Sequence, residues 1–441
     1  MTDRGARPTA APTPTCRPPR PLITAARRLA ALLLVVTAAS QPLSFAAGGQ
    51  RQEAYGRTPA RMAPYAGGIE PYRRFYLEPF VYRGPGREAA EPSGLQTVKI
   101  GLLAPLQGTA RDLEGRSLQQ GVELALDTAN ESGGYSGIPF EMVSRNDQLL
   151  WGSSSNTLVE LAYGEKVWAV IGSLDSNSTH VALRAALKAE IFIVNVGSTD
   201  PTVTETGIPW IIRCTPDDRQ TGYRIAALLF DELQLSNVAV LRSSDRYGRF
   251  GVAEFRDAAV RLAHPLPMEI QFGAGREDFS SELRRIEAAD VDAVVLWAGA
   301  HDAAKLVRQM RHRGMSQLII GTDRLASDIF LEEAGDAAEG VIATSWIDRG
   351  RDDEDWRLFR RRFRGRYGAE PDAFAAYGYD AATLTVEAIR RAGLNRALIR
   401  DALSEIRYYQ GMGGPIELDV TANSVAAVFL TRVEGGEFVP R

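Results

Sequence analysis

Few residues in this chain could do covalent or metal chemistry. There are two cysteines, Cys16 and Cys214, and the four histidines show no spacing typical of a metal site. Asp175, Ser176 and His180 lie close in sequence, but on one helix they lack the third group that orients a triad histidine. No G-x-S-x-G, P-loop, H-E-x-x-H or G-x-G-x-x-G motif follows a predicted strand. The sequence therefore predicts a protein that is not an enzyme and uses no cofactor.

Several polar segments have the chemistry of a binding site for a small polar molecule. In open parallel sheets, ligands bind beyond the carboxyl ends of the strands. Hydroxyls and free amides at a helix start attract an anion, and a carboxylate attracts a cation. The segments at such strand ends are 106–113, 173–179, 197–201, 243–247, 298–302 and 322–324. We expect the functional site to be built from them.

The elements that must position these segments alternate along the chain from residue 98 onward. Continuous apolar runs predict buried strands, and apolar residues at helical spacing predict helices between them. The predicted strands are 98–105, 140–144, 167–172, 191–196, 210–214, 238–242, 268–272, 293–297, 318–321 and 341–345. The predicted helices are 115–132, 219–234, 249–263, 278–289, 302–313, 353–366, 376–391 and 395–407. A β-rich end at 415–439 carries a hairpin signal, E-G-G-E.

This alternation is typical of parallel sheets that helices cover on both faces. The number of predicted strands is too large for a single open sheet of ordinary size. The predicted fold class is therefore α/β, with two Rossmann-like, doubly wound parallel-sheet lobes. The composition of the 441 residues, 45% hydrophobic and 24% charged, also suits a globular protein of two or three domains. A formal charge of −4 argues against a nucleic-acid partner.

The N-terminal 47 residues are typical of a secretory signal peptide. Arg27 and Arg28 precede a short apolar run, and small residues follow as far as Ala46 and Ala47, after either of which cleavage is expected. The run is shorter than the roughly 20 apolar residues that span a bilayer. An uncleaved N-terminal anchor is the alternative. Residues 48–97, rich in Pro, Gly and Tyr, are predicted to be a linker, or an arm whose aromatic residues pack on the body.

The segments together resemble the type I periplasmic binding proteins, in the leucine/isoleucine/valine-binding branch of the substrate-binding proteins of ABC transporters. The matching pieces occur in the family's order between residues 98 and 441. They are IGLLAPLQG, GVELALDTANESGGYSGIPFE, AVIGSLDSNST, NVGSTDP, RYGRFG and FSSELRRIEAADVDAVV. The resemblance implies the type I periplasmic binding protein fold, in which a three-crossover hinge joins two lobes that close on a ligand.

The resemblance also implies boundaries, partners and location. Lobe 1 would comprise 98–217 plus 347–425 and lobe 2 would comprise 218–346 plus 426–441, with hinges near Pro216 and at 340–346. The protein would be periplasmic and would capture an amino acid, amide or related carboxylate for an ABC permease and its ATPase. The membrane would be contacted only through the permease.

The resemblance assigns ligand binding to individual positions. Ser176 falls at the family's position for the ligand carboxylate, and Thr199 with the Gly197 carbonyl at positions for carboxylate and ammonium. Asp323 falls where an acidic residue faces the ammonium, and Tyr247 matches an aromatic wall residue. Alternatives stay open: Ser176 as a helix cap, Thr199 and Asp323 as turn residues, and Tyr247 as a core or surface residue.

Other positions depart from the family's pattern and leave the ligand's identity open. Leu113 replaces an aromatic residue, and Trp297 either substitutes for an aromatic lost at 299–300 or belongs to the core. Leu174 and Trp151 are further candidates for lining the cleft. A branched-chain amino acid is the leading expectation. Two other functions are considered: a periplasmic sensory module acting through protein contact, for which 48–96 would be the contact surface, and a periplasmic hydrolase.

Overall fold

The computed structural model describes residues 78–264, 266 and 268–441. The predicted signal peptide at 1–47 lies outside these residues, as does most of the predicted arm. Across the described ranges, no helix is both long enough and apolar enough to cross a membrane.

Helices and strands alternate through the described chain. The α-helices are α1 Asp112–Glu131, α2 Trp151–Val159, α3 Ser176–Ala189, α4 Asp218–Ala226, α5 Arg246–Arg261, α6 Ser280–Ala289, α7 Ala300–His312, α8 Asp328–Ala334, α9 Glu354–Tyr367, α10 Ala373–Ala392 and α11 Arg396–Ser404. The strands as far as residue 345 are β1 Val98–Ala104, β2 Phe140–Asn146, β3 Ala169–Gly172, β4 Phe192–Asn195, β5 Ile211–Arg213, β6 Val238–Ser243, β7 Met268–Phe272, β8 Ala293–Trp297, β9 Leu318–Gly321 and β10 Ile342–Ser345. The later strands are β11 Tyr408–Gln410, β12 Pro415–Glu417, β13 Phe429–Glu434 and β14 Glu437–Pro440.

Two large sheets organise these elements. The first has the order β2-β1-β3-β4-β5 and all its strands are parallel. The second has the order β14-β13-β10-β9-β8-β6-β7, with β10 to β7 parallel and the hairpin β13–β14 antiparallel at one edge. Every residue of β3, β4 and β8 is buried, as expected for strands covered on both faces. The prediction of two doubly wound α/β units is confirmed.

Each sheet has its own hydrophobic core. We call "first body" the elements β1–β5, α1–α3 and α9–α11, which form the core around the first sheet, together with the small hairpin β11–β12. We call "second body" β6–β10, β13, β14 and α4–α8, whose side chains fill the two faces of the second sheet. In each sheet the strand order reverses beside its first strand, between β1 and β3 and between β6 and β8. A doubly wound sheet binds ligands at that point.

The chain passes between the two sheets after β5, after β10 and before β13. A buried hydrogen-bond network holds the first and third of these passages together. The Arg213 guanidinium donates to the Ser198 carbonyl (3.1 Å), to the Asp200 carbonyl (2.6 Å) and to Asn423 Oδ1 (2.7 Å). Asn423 Nδ2 in turn donates to Asp217 Oδ2 at 3.0 Å. The loops that approach the sheet ends are therefore held by the same contacts that fix the passages.

The described part of the arm, 78–97, packs on the first body. Tyr82 meets Trp210 edge-on, with ring centroids 4.8 Å apart. Asn395 Nδ2 donates to the Gly86 and Ala89 carbonyls at 3.0 and 2.9 Å. Residues 78–97 are therefore packed on the first body, and the prediction for 48–97 as a whole stays a prediction.

Some elements differ from the predicted ones. The helix predicted at 219–234 is α4 followed by a π-helical turn, Ala227–Glu232. Helix α2 was not predicted, because its sequence W-G-S-S-S-N-T-L-V has few apolar residues at helical spacing. Most of the predicted hinge segment 340–346 is strand β10, which pairs with β9 and β13, so the passage begins only at Trp346. The predicted lobe boundaries stay a prediction.

Candidate functional site

The carboxyl ends of the two sheets' central strands border a cleft between the bodies. Two cavities, of about 390 and 280 Å³, lie in it and share Glu114 and Arg324 in their linings. Each cavity takes residues from both bodies: the larger has Phe374 and Asp323, the smaller Asp175 and the loop at Gly299. A molecule in this cleft would touch both bodies at once.

The wall from the first body, the first wall, presents hydroxyl groups beside the start of α3. Asp175 caps this helix, its Oδ1 accepting the Ser178 N–H at 2.9 Å, so the Ser176 hydroxyl is not needed as a cap. Ser176 Oγ accepts only a long hydrogen bond, 3.4 Å, from the Asp200 N–H. Thr199 is buried, and its carbonyl accepts the Asp218 N–H at 2.9 Å. The first wall therefore offers neutral donors and a helix N-terminus.

Buried contacts hold the loop at 197–199 in place. Asn195, the last residue of β4, donates from Nδ2 to the Ser173 carbonyl at 2.9 Å and to Ser198 Oγ at 3.1 Å. A side chain at Gly197 would not fit, since its Cβ would lie 2.6 Å from Leu174 Cδ2. The close approach of the two loops after β3 and β4 thus requires glycine at this position.

The wall from the second body, the second wall, carries charge. The Tyr247 hydroxyl, at the start of α5, lies 2.6 Å from Thr322 Oγ1 and 3.3 Å from Asp323 Oδ1. The Arg324 guanidinium lies over the Tyr247 ring, 3.4 Å from its centroid. Burial raises the pKa of Asp323 to about 6, although Arg324 and Arg111 oppose the shift. Burial also raises the pKa of Tyr247, and the Asp323 charge adds to that shift.

The ion pair between Arg246 and Asp200 bridges the two walls. Arg246, the first residue of α5, donates from Nε to Asp200 Oδ2 at 2.6 Å. Asp200 Oδ1 accepts the Thr202 N–H at 2.8 Å, and His180 Nε2 lies 3.2 Å from an Arg246 terminal nitrogen. Although burial acts the other way, these hydrogen bonds and the Arg246 charge hold the pKa of Asp200 well below its usual range. The pair remains ionised over the physiological range and ties the bodies together beside Ser176.

The profile of the periplasmic binding protein family matches residues 97–437. The chain belongs to this family. It is 28% identical over 299 residues to a Leu/Ile/Val-binding protein homolog of Brucella abortus, covering 68% of this chain and 79% of that one. An amino acid binding protein of Pseudomonas aeruginosa is 28% identical over 305 residues, covering 68% and 80%.

Comparison with solved structures places the chain in the same family. LivJ of Streptococcus pneumoniae, a branched-chain amino acid transporter substrate-binding protein in complex with isoleucine, superposes with a TM-score of 0.72 at 25% identity, covering 78% of this chain and all of that one. A leucine-binding protein, LivK, of Thermotoga maritima has a TM-score of 0.73 at 25% identity, covering 78% and 97%. This periplasmic binding protein therefore belongs with the branched-chain amino acid ABC transporter family, whose members bind substrates rather than transform them. The predicted family and fold are confirmed.

Of the main predicted residues, Asp323 lines the larger cavity of this binding protein, whereas Ser176, Gly197, Thr199 and Tyr247 line neither cavity. Thr199 and Tyr247 are buried, so the predicted ligand contacts stay a prediction. Asp218 lies near both loops: its N–H donates to the Thr199 carbonyl at 2.9 Å, and its carboxyl group adds to the rise of the Tyr247 pKa. Leu113 is 57% exposed and lines the larger cavity.

Three other predicted residues have different places. Trp297 is fully buried beneath Tyr247, with ring centroids 6.2 Å apart, so it is a core residue that supports the wall. Trp151 is 70% exposed at the start of α2 and lines neither cavity. Leu174 points its side chain into the core and contributes its carbonyl, which accepts Arg111 Nη1 at 2.7 Å. The sequence patterns around these residues indicated that they are buried or lie in loops, but not which way their side chains point.

The sequence analysis missed two charged residues of the cleft. Asp218 is 1% exposed, and among the described residues no group makes a hydrogen bond of standard geometry to either oxygen of its carboxyl group. Burial first, and then the charges of Asp323 and Asp200, raise its pKa well above the usual range. Arg324 lies next to Asp323, and the segment 322–324 was predicted, but its guanidinium was not assigned a role. For Arg324 the available signal was its position directly after Asp323.

Proposed function

We propose that this protein captures a small amino-acid-like solute in the periplasm, between its two bodies, and delivers it to an ABC permease driven by an ATPase. The observation that carries the proposal is the cleft itself, whose cavities take lining residues from both bodies and include Asp323, beside the hydroxyl of buried Tyr247. The relatives support it, since LivJ of Streptococcus pneumoniae was solved in complex with isoleucine. Export would depend on the signal sequence predicted at 1–47.

The two walls suit the two ends of an amino acid. The N-terminus of α3 with Ser176, and the loop at Thr199, would receive the α-carboxylate, because free amides and hydroxyls there donate to an anion. Asp323 would receive the α-ammonium, since a carboxylate in a partly dry cleft makes a strong charge-assisted bond. Tyr247 lies within reach of Asp323 and orients its carboxylate.

Closure of the two bodies on the ligand follows from the division of the ligand contacts between the two walls. A ligand that contacts both walls binds the closed arrangement better than an open one and so shifts the population toward it. The Arg246–Asp200 pair would form on the same movement, since its members belong to different bodies. The permease would then recognise the closed form, which only a loaded protein populates strongly.

A thermal-shift screen tests the proposal. The protein is unfolded and refolded to remove any co-purified ligand, and amino acids, amides and aromatic acids are then added singly. A ligand that binds only the native state raises the melting temperature, and calorimetry should give saturable one-to-one binding for it. If the folded protein binds no member of the panel, the proposal is wrong.

A further inference from the structure

Two opposite charges stand side by side on the second wall without pairing. Asp323 and Arg324 open the short 3-10 turn Asp323–Leu325, and Leu325 is fully buried behind them. A Cβ at Gly321 would lie 2.1 Å from Leu325 Cδ2, so the turn is packed tightly against the strand. Both charged side chains reach the larger cavity, and no ion pair joins them. The turn therefore presents an anion and a cation separately.

The other arginines that line the cleft have acceptors on the protein. Arg111 pairs with Glu114 and donates to the Leu174 carbonyl. Arg349 donates to the Ala326 carbonyl at 3.0 Å, and Arg116 to the Leu106 carbonyl at 3.4 Å. Arg324 has none: in the part of the chain that the structure describes, its guanidinium makes neither a hydrogen bond nor an ion pair.

The carboxylates nearest to Arg324 are engaged elsewhere. Asp245 Oδ1 accepts the Gly248 N–H at 2.9 Å and the Ser243 hydroxyl at 2.6 Å, and Glu114 is paired with Arg111. Their charges, with those of Tyr247 and Asp323, raise the pKa of Arg324 despite its burial, so it stays charged. These groups balance the charge of Arg324 but leave its N–H groups free.

The stacking on Tyr247 determines which way those N–H groups face. A guanidinium lying flat on a ring uses its π face and leaves its donors in the plane, directed outward. Arg324 borders both cavities, so these donors open onto the cleft. The planar fork matches a carboxylate, which it can bind through two parallel hydrogen bonds.

We propose that the ligand is an acidic amino acid, whose side-chain carboxylate is bound by Arg324 while Asp323 binds its ammonium. This inference rests on the proposed function and narrows its substrate class. An aliphatic side chain would leave the Arg324 donors without a partner in a dry cleft, which is unfavourable. The specificity of the cleft thus differs from that named for the isoleucine-bound and leucine-binding relatives.

Calorimetry with L-glutamate, L-aspartate, L-glutamine and L-leucine tests the assignment. At least one acidic amino acid should bind roughly tenfold or more tightly than L-glutamine, and L-leucine should bind most weakly. Arg324→Gln should weaken binding of the acidic ligand by about 10–100-fold and leave L-glutamine within about threefold. Arg324→Lys, which keeps the charge but loses the fork, should fall between them.

Arg116→Gln is the matched control, because it removes a positive charge from the exposed rim of the same cavity. It should leave the preference for the acidic ligand unchanged, and a melting curve for each variant confirms folding. Tighter binding of L-leucine than of either acidic amino acid would overturn the inference and leave the proposed function standing. An equal loss for all ligands in Arg324→Gln would overturn it as well. No binding of either acidic amino acid would overturn the inference alone, whereas no binding of any member of the thermal-shift panel would overturn both.

Discussion

The two walls of the cleft differ in the kind of group they offer. The first wall presents the Ser176 hydroxyl and the start of α3 next to the buried loop at Thr199, and its charged groups are engaged within the same body: Arg111 pairs with Glu114, and Asp175 caps α3. The second wall presents Asp323 and Arg324, which are ionised or close to titration at neutral pH. The first wall can bind a group that every amino acid has, whereas the second can distinguish one ligand from another.

The difference has an energetic reason. Neutral donors lose little on leaving water and tolerate several anionic groups, so they add affinity without much selectivity. A buried charge left without a partner costs several kcal/mol by order of magnitude, so it penalises every ligand that fails to complement it. Changes to the second wall should therefore have larger and more selective effects than changes to the first wall.

The largest effect is expected for Asp323→Asn. The substitution keeps the shape of the side chain but removes the charge that faces the ligand ammonium, which should weaken binding by about 2–5 kcal/mol. Calorimetry with an amine-bearing ligand measures the loss. Asp328→Asn, an exposed neutralisation at the same cavity, should change little. Equal affinities for wild type and Asp323→Asn would remove this residue from the site.

Breaking the bridge between the walls should have the next largest effect. Arg246→Gln leaves buried Asp200 without its cation, and the closed arrangement should lose about 1.5–3 kcal/mol. All ligands should weaken by the same factor, because the pair contacts the bodies and not the solute. Arg256→Gln, in the same helix but paired with Glu269 within the second body, is the control. A selective loss of one ligand would show that Arg246 touches it.

Affinity should also depend on pH through Asp323. Its raised pKa, about 6, means that the carboxyl group takes up a proton as the pH falls through that value, while the ligand ammonium stays charged. Since the ligand needs the ionised form, binding should weaken by about tenfold for each pH unit below the pKa and level off above it. Titration calorimetry between acidic and neutral pH measures this slope. Asp323→Asn should abolish it, and an unchanged slope in that variant would assign the titration to another group.

The smallest effect is expected on the first wall. Ser176→Ala removes one neutral hydroxyl and should weaken binding by about 0.5–1.5 kcal/mol, by a similar factor for every amino acid. Ser178→Ala is a close control, because this hydroxyl lies in the same helical turn and has no hydrogen-bond partner in the described part of the chain. If Ser176→Ala cost as much as Asp323→Asn, the contrast between the walls would not hold.

The site could be predicted only in part, and the reason differs between residues. Asp323 follows a strand that sequence periodicity locates well, and it lines the larger cavity, whereas Ser176 follows an equally well located strand but lines neither cavity. Trp297 is the last residue of β8, and the sequence of that strand does not show which of its side chains face the cleft. The Trp297 side chain lies in the core. Asp218 begins a helix in an ordinary capping box, which hides its burial opposite Asp323.

The sequence by itself determined the alternation of buried strands and helices, and with it the two doubly wound sheets, because continuous apolar runs and helical spacing are local properties. Only the tertiary structure decided that Arg246 meets Asp200, and that Arg324 stacks on Tyr247 with its donors free. These contacts join segments far apart in the chain, or depend on how a side chain turns within a packed cleft. Spacing along the sequence carries neither kind of information, so the charges that set specificity emerge only once the two bodies face each other.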